Sequence, residues 1–318
     1  MNNQEIGGYL ELEHLISRPY YPHLKKINTG RHALLYVLKA KKIHTLHLPS
    51  YLCDSVSAVC EQNEIKTREY AVDGDFLPVI DKPPAAGEAL LLVNYYGQLT
   101  DELIFEYKKK WDRIIVDHTQ AFFQKPLLGV DTFYSCRKFF GVPDGAYLYT
   151  DKQITEELER DVSKERMKHL LGRYEGRAFD YYQDFQDHER FFRQESLKKM
   201  SLLTENLLGA VNYGWVKMVR EENFQILYEA LQVKNRLKLR KPIGPFAYPF
   251  YFTKGEEVRR ELARRHIYIP TLWPNVVKDL TQDRLETDYA KHILPLPCDQ
   301  RYAAKDMEKL IAALQEFL

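Results

Sequence analysis

Three short segments in the first half of the chain contain side chains that could bind a ligand or take part in catalysis. In the first, an apolar run at 113–117 ends on Asp117, and Gln120 follows three residues later. Because ligands bind at the carboxyl edge of open α/β sheets, a carboxylate there either caps a helix or holds a protonated ring nitrogen. Gln120 is near enough in sequence to contact the same ligand. We therefore interpret this segment as the polar edge of a ligand site.

The second segment is built around Lys138, with Ser135 three residues before it and glycines at 141 and 145. Aromatic residues stand at 133, 134, 139 and 140, so we expect Lys138 to be embedded among them. Desolvation in such a setting lowers a lysine's pKa and frees its amine to act as a nucleophile, although lysines more often reach solvent. The Ser-x-x-Lys spacing also occurs in penicillin-binding proteins, but the sequence has no Lys-Thr-Gly partner motif.

The third segment is the Thr29-Gly30 pair, which opens a helix predicted at 31–42. Backbone N–H groups and the helix dipole at such a start form an anion site, although both residues also suit an ordinary N-cap and turn. In their order along the chain, the three segments provide a phosphate cradle, an acid for a pyridinium nitrogen and an amine for a Schiff base. Those are the parts that a pyridoxal 5'-phosphate site needs.

The elements that must position these segments are short strands alternating with helices. Apolar runs predict strands at 44–48, 89–94, 113–117 and 146–150 and one through 133–134, and helical periodicity predicts helices at 31–42 and 53–63. This alternation indicates the α/β class with a central, mostly parallel sheet. We expect a large cofactor-binding domain over residues 1–239 and a small C-terminal α+β domain over 240–318.

The second half of the chain supports fewer predictions. Residues 151–235 are charged and helical, and the aromatic-rich stretch 179–192 is either a lid or a surface helix with an aromatic face. Beyond 240 the pattern predicts a strand, a helix at 255–266, a strand at 267–269 and a final helix that buries Met307, Leu310, Ile311, Leu314 and Leu318. Trp273 either lines a substrate mouth or lies in the core. Arg301 either binds an anionic substrate group or forms a salt bridge at a helix start.

Composition excludes several other classes of protein. The 318 residues carry a formal charge of +1, without the basic excess of a general nucleic-acid binder. The four cysteines show neither C-x-x-C spacing nor a Cys/His cluster, so we predict no metal site. No apolar run is long enough to span a bilayer, and the N-terminus lacks the pattern of a signal peptide. We therefore expect a cytoplasmic protein without a membrane partner.

Four segments resemble the DegT/StrS family of nucleotide-sugar aminotransferases, which are fold-type-I pyridoxal-phosphate enzymes: TGRHAL at 29–34, LPSYLC at 48–53, VDHTQAF at 116–122 and YSCRKFFGVPDG at 134–145. The resemblance implies a homodimer with active sites at its interface. It also implies an aminotransferase that acts on a keto-sugar nucleotide, with glutamate as amino donor, in cell-surface polysaccharide or related sugar biosynthesis. The alternatives are sugar dehydration or deoxygenation with the same cofactor, binding of the cofactor without turnover, and a plain α/β ligand-binding domain.

The resemblance also implies roles for individual residues. Lys138 would form the Schiff base with the cofactor and then act as general acid and base. Asp117 would pair with the pyridinium nitrogen, and Gln120 would contact the phenolic oxygen. The cofactor phosphate would be held by the backbone N–H groups of Gly30 and Arg31 and by the hydroxyl of Ser135.

Two positions depart from the family pattern. Cys53 stands where the family has an aromatic residue that stacks on the cofactor ring. Stacking then falls to the Cys53 sulfur, to Tyr51 or to another aromatic residue such as Tyr95. The family's Asn-x-Arg motif, which reaches the partner subunit's phosphate, has no clear match, and residues 197–200 (LKKM) stand near its expected place.

Overall fold

A computed structural model of the chain describes residues 6–318, so the first five residues of the predicted large domain lie outside the described part. Its centre is an eight-stranded sheet. The strands are β1 (Lys25–Ile27), β2 (Thr45–Pro49), β3 (Lys66–Val72), β4 (Pro78–Val79), β5 (Glu88–Val93), β6 (Ile114–Asp117), β7 (Asp131–Ser135) and β8 (Ala146–Tyr149). They lie side by side in the order β1-β8-β7-β6-β5-β2-β3-β4.

The middle of this sheet is parallel, and its edges are antiparallel. β3, β2, β5, β6 and β7 pair in parallel, whereas β8, β1 and β4 join antiparallel. β2, β5 and β6 are buried along their whole length. Crossover connections cover both faces of a parallel sheet, which explains why these strands are continuous apolar runs in the sequence. The predicted α/β class with a mostly parallel central sheet is confirmed.

Helices connect and cover these strands. They are α1 (Gly30–Ala40), α2 (Asp54–Gln62), α3 (Asp101–Lys110), α4 (Lys168–Glu175), α5 (Tyr182–Phe191), α6 (Leu202–Gly209), α7 (Tyr213–Leu231), α8 (Gly255–Arg264), α9 (Pro274–Asp279), α10 (Leu285–His292) and α11 (Ala304–Gln315). Several begin at a capping side chain: Thr29, Thr100 and Ser201 each accept a hydrogen bond from a first-turn N–H group. None of the described helices combines the length and the apolar character that crossing a membrane requires.

A second core lies in the C-terminal part of the chain. β9 (Tyr248–Tyr251) and β10 (Ile293–Leu296) pair antiparallel and pack with α7, α8 and α11. Met307, Leu310 and Leu314 are buried there as predicted, whereas Ile311 and Leu318 are half-buried. The boundary at 239/240 stays a prediction, and α7, which precedes it, contributes side chains to this same core.

The strand predicted at 267–269 is wrong. These residues continue as irregular backbone after α8, and β9 finds its partner in β10 instead. The side chains alternate as in a strand, with Tyr268 60% exposed and Ile269 buried. Alternation alone does not make a strand, because the backbone groups also need a neighbouring strand to pair with. The stretch 179–192, by contrast, contains α5 with Tyr182 and Phe185 exposed, which is the surface helix with an aromatic face.

Candidate active site

The carboxyl ends of β6 and β7 and the start of α1 meet at one edge of the sheet. β6 ends at Asp117 and its parallel neighbour β7 ends at Ser135. A methyl group on Gly30 would lie 3.5 Å from both Ser135 Cβ and Thr119 Cγ2. The structure therefore brings the three predicted segments together.

The first turn of α1 offers free backbone donors to this edge. The first N–H groups of any α-helix lack intrahelical acceptors. Here the Thr29 hydroxyl accepts from the N–H of His32 at 3.2 Å, which leaves the N–H groups of Gly30 and Arg31. Together with the half-buried Ser135 beside Gly30, these donors can hold an anion.

Asp117 is a buried carboxylate without a cationic partner. Its side chain is 4% exposed, and Oδ1 accepts a hydrogen bond from the Thr119 N–H at 2.7 Å. It forms no salt bridge within residues 6–318. Burial raises the pKa of Asp117 above its ordinary value, whereas the hydrogen bonds from Thr119 and the positive charge of Lys138 act against that rise. A ligand with a positive charge beside this carboxylate would stabilise its ionised form.

Gln120 presents a buried donor that has no acceptor. The residue is 1% exposed, and its Oε1 accepts a hydrogen bond from the Tyr96 N–H at 2.8 Å. Its Nε2 finds no partner in the described part of the chain. A buried polar group without a partner costs about 1–3 kcal/mol, and such groups are rare in native proteins. An acceptor oxygen on a bound water or ligand would satisfy this amide.

The predicted apolar environment of Lys138 is wrong. The four neighbouring aromatic residues are buried, but Lys138 itself is exposed. It ends a 3₁₀ turn at Cys136–Lys138, and this turn directs Cys136 inward and Lys138 outward. The Lys138 Nζ lies 5.7 Å from the centroid of the Phe246 ring. Lys138 is therefore accessible from solvent and lies close enough to Asp117 for its charge to act on that carboxyl group.

Arg31 and Cys53 flank the site from the starts of two helices. The Arg31 guanidinium donates to the Phe192 carbonyl at 3.2 Å. Burial lowers the pKa of Arg31, and Cys53 and Asp54 lie close enough to oppose that shift. Cys53 precedes α2 and is half-buried, whereas the other three cysteines are buried.

The other two candidates for stacking on a ring lie in the core. Tyr51 and Tyr95 are fully buried, with their ring centroids 5.3 Å apart. Trp273 packs edge-on against both rings, at 4.6 and 5.6 Å, so it belongs to this core cluster. Arg301 forms a two-pronged salt bridge with Asp299, at 2.7 and 2.8 Å.

One segment that contributes to the site was not predicted from the sequence. Residues 240–246 cross the carboxyl edge of the sheet, and the Gln98 side chain bonds both the N–H and the carbonyl of Arg240, at 2.8 and 3.1 Å. This crossing segment brings Phe246 to Lys138. Its prolines suggested only a break between domains, and no local spacing relates it to residues a hundred positions earlier.

Residues 197–200 lie beside the start of α1. The Asn28 side chain donates to the Ser196 carbonyl at 2.9 Å and accepts from the Lys198 N–H at 3.3 Å. The Lys198 amine pairs with Glu195 at 2.8 Å. This segment therefore supports the strand end that leads into Thr29 and Gly30.

Comparisons with known proteins identify the fold. No protein-family model matches the sequence, and no curated protein is significantly similar to it. Solved structures do match. A DegT DnrJ EryC1 StrS aminotransferase from Brucella abortus aligns with a TM-score of 0.60 at 14% identity, over 93% of this chain and 86% of that chain. DesV from S. venezuelae, solved with a ketimine intermediate, gives 0.61 at 16%, over 93% and 84%.

A third structure, NtdA from Bacillus subtilis with its cofactor PMP bound, aligns with a TM-score of 0.62 at 11% identity, over 92% of this chain and 72% of that chain. Each alignment extends over more than nine-tenths of this chain, so the likeness is one of the overall fold. The resemblance of the four sequence segments is thereby confirmed at the level of the fold. This chain has the fold of the fold-type-I pyridoxal-phosphate aminotransferases of the DegT/DnrJ/EryC1/StrS type.

Proposed function

We propose that this protein is a pyridoxal-phosphate-dependent aminotransferase that acts on a keto-sugar nucleotide, with glutamate as amino donor. One observation supports the proposal most strongly. Asp117, a buried carboxylate with no salt bridge in the described residues, and Gln120, a buried amide without an acceptor there, lie at the sheet edge that also presents Lys138. The cofactor would give each group a partner: its ring nitrogen for Asp117 and its phenolic oxygen for Gln120.

The residues present fit pyridoxal phosphate group by group. Asp117 lacks the positive charge that a protonated pyridine nitrogen would provide. The Gln120 Nε2 lacks the acceptor that a phenolic oxygen would provide. In this proposal the cofactor phosphate is held by Gly30, Arg31 and Ser135, and Cys53 lies against the ring.

When bound, the cofactor supplies an aldehyde that condenses with amines and a ring that accepts electrons from a breaking C–H bond. Lys138 would provide the amine that holds the cofactor, and its Nζ, when free, would take up a proton as general base and return it as general acid. Asp117 keeps the ring nitrogen protonated, because a carboxylate beside it favours the charged form. Gln120 donates its free N–H and so fixes the orientation of the ring.

In this proposal the protein works as a cytoplasmic homodimer in cell-surface polysaccharide or related sugar biosynthesis. Exposed apolar side chains support the dimer. Ile6, Tyr9 and Leu10 of the N-terminal segment and Tyr174 and Phe179 around α4 are among the most exposed large apolar residues described. A partner subunit would cover exposed apolar surface of this kind.

The test is a half-reaction with glutamate. Protein loaded with pyridoxal phosphate is mixed with glutamate without sugar substrate, and the visible absorption and the 2-oxoglutarate released are followed. We expect loss of the visible band and one equivalent of 2-oxoglutarate per subunit. A visible band that glutamate leaves unchanged would favour the dehydratase or non-catalytic alternatives. A protein that acquires no visible band when mixed with pyridoxal phosphate would instead be a plain α/β ligand-binding domain.

A further inference from the structure

Arg220 of α7 is a buried guanidinium that faces only uncharged acceptors. The residue is 2% exposed. Its Nε donates to Gln300 Oε1 at 2.8 Å, its Nη1 to the Pro245 carbonyl at 2.8 Å, and its Nη2 to the Phe139 carbonyl at 3.2 Å. Asp299, the acid next to Gln300, is occupied by Arg301.

Phe139, the residue directly after Lys138, is the point where these contacts converge. Its carbonyl accepts from Arg220 and also from the Gln300 Nε2, at 2.9 Å. Its N–H donates to the Cys136 carbonyl at 3.0 Å, which closes the turn that ends at Lys138. The backbone directly after Lys138 is therefore held by hydrogen bonds at both the N–H and the carbonyl of Phe139.

The same guanidinium also fixes the apolar wall beside the Lys138 amine. Its Nη1 holds the Pro245 carbonyl, and the next residue is Phe246. The Phe246 ring lies 5.7 Å from the Lys138 Nζ and 6.0 Å from the Phe139 ring. One side chain thus sets two boundaries of the space in which the amine moves.

Stability alone does not explain a charge at this place. Burying an ion is costly, and a well-packed apolar residue often serves stability as well as or better than a buried ionic group. A guanidinium offers a rigid fork of five N–H donors, which can bind several carbonyls in a fixed arrangement. The arrangement suits orientation of a loop better than filling of a core.

We propose that Arg220 and Gln300 are positioning residues for Lys138. They hold the Phe139 carbonyl and Phe246 so that the exposed Lys138 side chain projects toward the groups at the ends of β6 and β7. The inference rests on the proposed function, because it is that function which gives Lys138 its partner. Neither residue touches the cofactor or substrate in this account.

The experiment compares the unaltered chain with Arg220→Met, Arg220→Lys and Gln300→Ala. Arg264→Met is the matched control, since Arg264 is exposed on α8 and pairs with Glu261. In cofactor-free protein, trace acylation of Lys138 across a range of pH is measured by mass spectrometry. In loaded protein, the dissociation constant for pyridoxal phosphate and the pH profile of the visible band are measured, with the melting temperature recorded separately.

We expect Arg220→Met to change the rate of Lys138 acylation and to weaken cofactor binding about tenfold, because the substitution removes the hydrogen bonds that Arg220 donates to Pro245 and Phe139. Arg220→Lys and Gln300→Ala should fall between that variant and the unaltered chain, and Arg264→Met should match the unaltered chain. Because Gln300 is only half-buried, Gln300→Ala disturbs the fold less than Arg220→Met does. If Arg220→Met does not fold, Gln300→Ala tests the positioning role.

The outcomes separate the two claims. A variant that melts earlier but keeps the acylation profile and the visible band of the unaltered chain would overturn the positioning role and leave the proposed function standing. A changed acylation profile in proteins that never acquire a visible band, the unaltered chain included, would support the positioning of Lys138 and overturn the proposed cofactor.

Discussion

Replacing Asp117 with Asn should abolish most of the chemistry while the fold survives. The substitution keeps the size of the side chain and keeps an oxygen that can accept from the Thr119 N–H, now 2.7 Å from Oδ1. It removes the one negative charge that the described chain buries at the end of β6. In the proposed function, that charge keeps the cofactor's ring nitrogen protonated.

The expected size of the effect follows from electrostatics. Two opposite unit charges about 3 Å apart, at an effective dielectric constant of about 20, attract by roughly 5 kcal/mol. Part of that energy is offset by the cost of burying the carboxylate, whose pKa burial itself raises. A remaining loss of about 3–5 kcal/mol corresponds to a half-reaction slower by about 10²–10⁴-fold. The free energy of unfolding should change by no more than about 1 kcal/mol, because the hydrogen bond to Thr119 is kept.

Asp131→Asn is the matched control. Asp131 begins the neighbouring strand β7 at the opposite edge of the sheet and pairs with Lys41 at 2.7 Å. Stopped-flow absorbance with glutamate gives the half-reaction rate, and calorimetry on the same samples gives the stability. We expect Asp131→Asn to lose some stability and to keep its rate.

The opposite pattern, lost stability with an unchanged rate, would mean that Asp117 has only a structural role. If Asp117 only caps the turn at Thr119, Asp117→Ala should cost about 1 kcal/mol of stability and leave the half-reaction near normal. An Asp117→Asn protein that reacts within a few-fold of the unaltered chain would remove Asp117 from the site.

Further predictions concern the cofactor contact, the assembly and the acid sensitivity of the fold. A small thiol reagent should modify Cys53 alone of the four cysteines, since the others are buried, and saturating pyridoxal phosphate should slow that reaction; equal rates with and without cofactor would place Cys53 outside the site. Light scattering at micromolar concentration should give the mass of two chains of 37.6 kDa, and a monomer with full cofactor occupancy would contradict the proposed interface. Burial lowers the pKa of His32 to about 4 and those of His118 and His188 to about 3. Below the ordinary histidine pKa of about 6.5, these histidines become protonated in the unfolded chain but stay neutral in the folded protein. The free energy of unfolding should therefore be greatest above that pH and should fall as the pH drops toward 4. One unit below 6.5 the loss is about 1.4 kcal/mol per histidine, and His118→Gln should lessen the slope of stability against pH by about one proton.

The sequence predicts the central strands β2, β5 and β6 because they are buried on both faces, but it does not predict β1, β3 and β4, which are short or largely exposed. Runs such as 89–93 are apolar throughout, and only a covered parallel strand suits them. The strand-end position of Asp117 follows directly from such a run. The predicted strand at 267–269 fails because pairing depends on a neighbour that local alternation does not reveal.

The environment of Lys138 could not be predicted from its sequence neighbours. The aromatic residues beside it point inward because a 3₁₀ turn separates their directions from that of the lysine. The residues that hold this turn come from 81 and 161 positions further along the chain, and no periodicity links them to Lys138. Gln120 shows the same limit: its type and spacing suggest a ligand contact, but its unpartnered amide appears only once Tyr96 is in place.

Borohydride reduction of the protein loaded with pyridoxal phosphate tests the central claim most directly. Reduction fixes the cofactor to whichever amine holds it, and peptide mapping then locates the modified lysine. We expect one cofactor per subunit, attached at Lys138, and none in Lys138→Arg treated in the same way. Stoichiometric attachment to any other lysine, or no attachment, would contradict it.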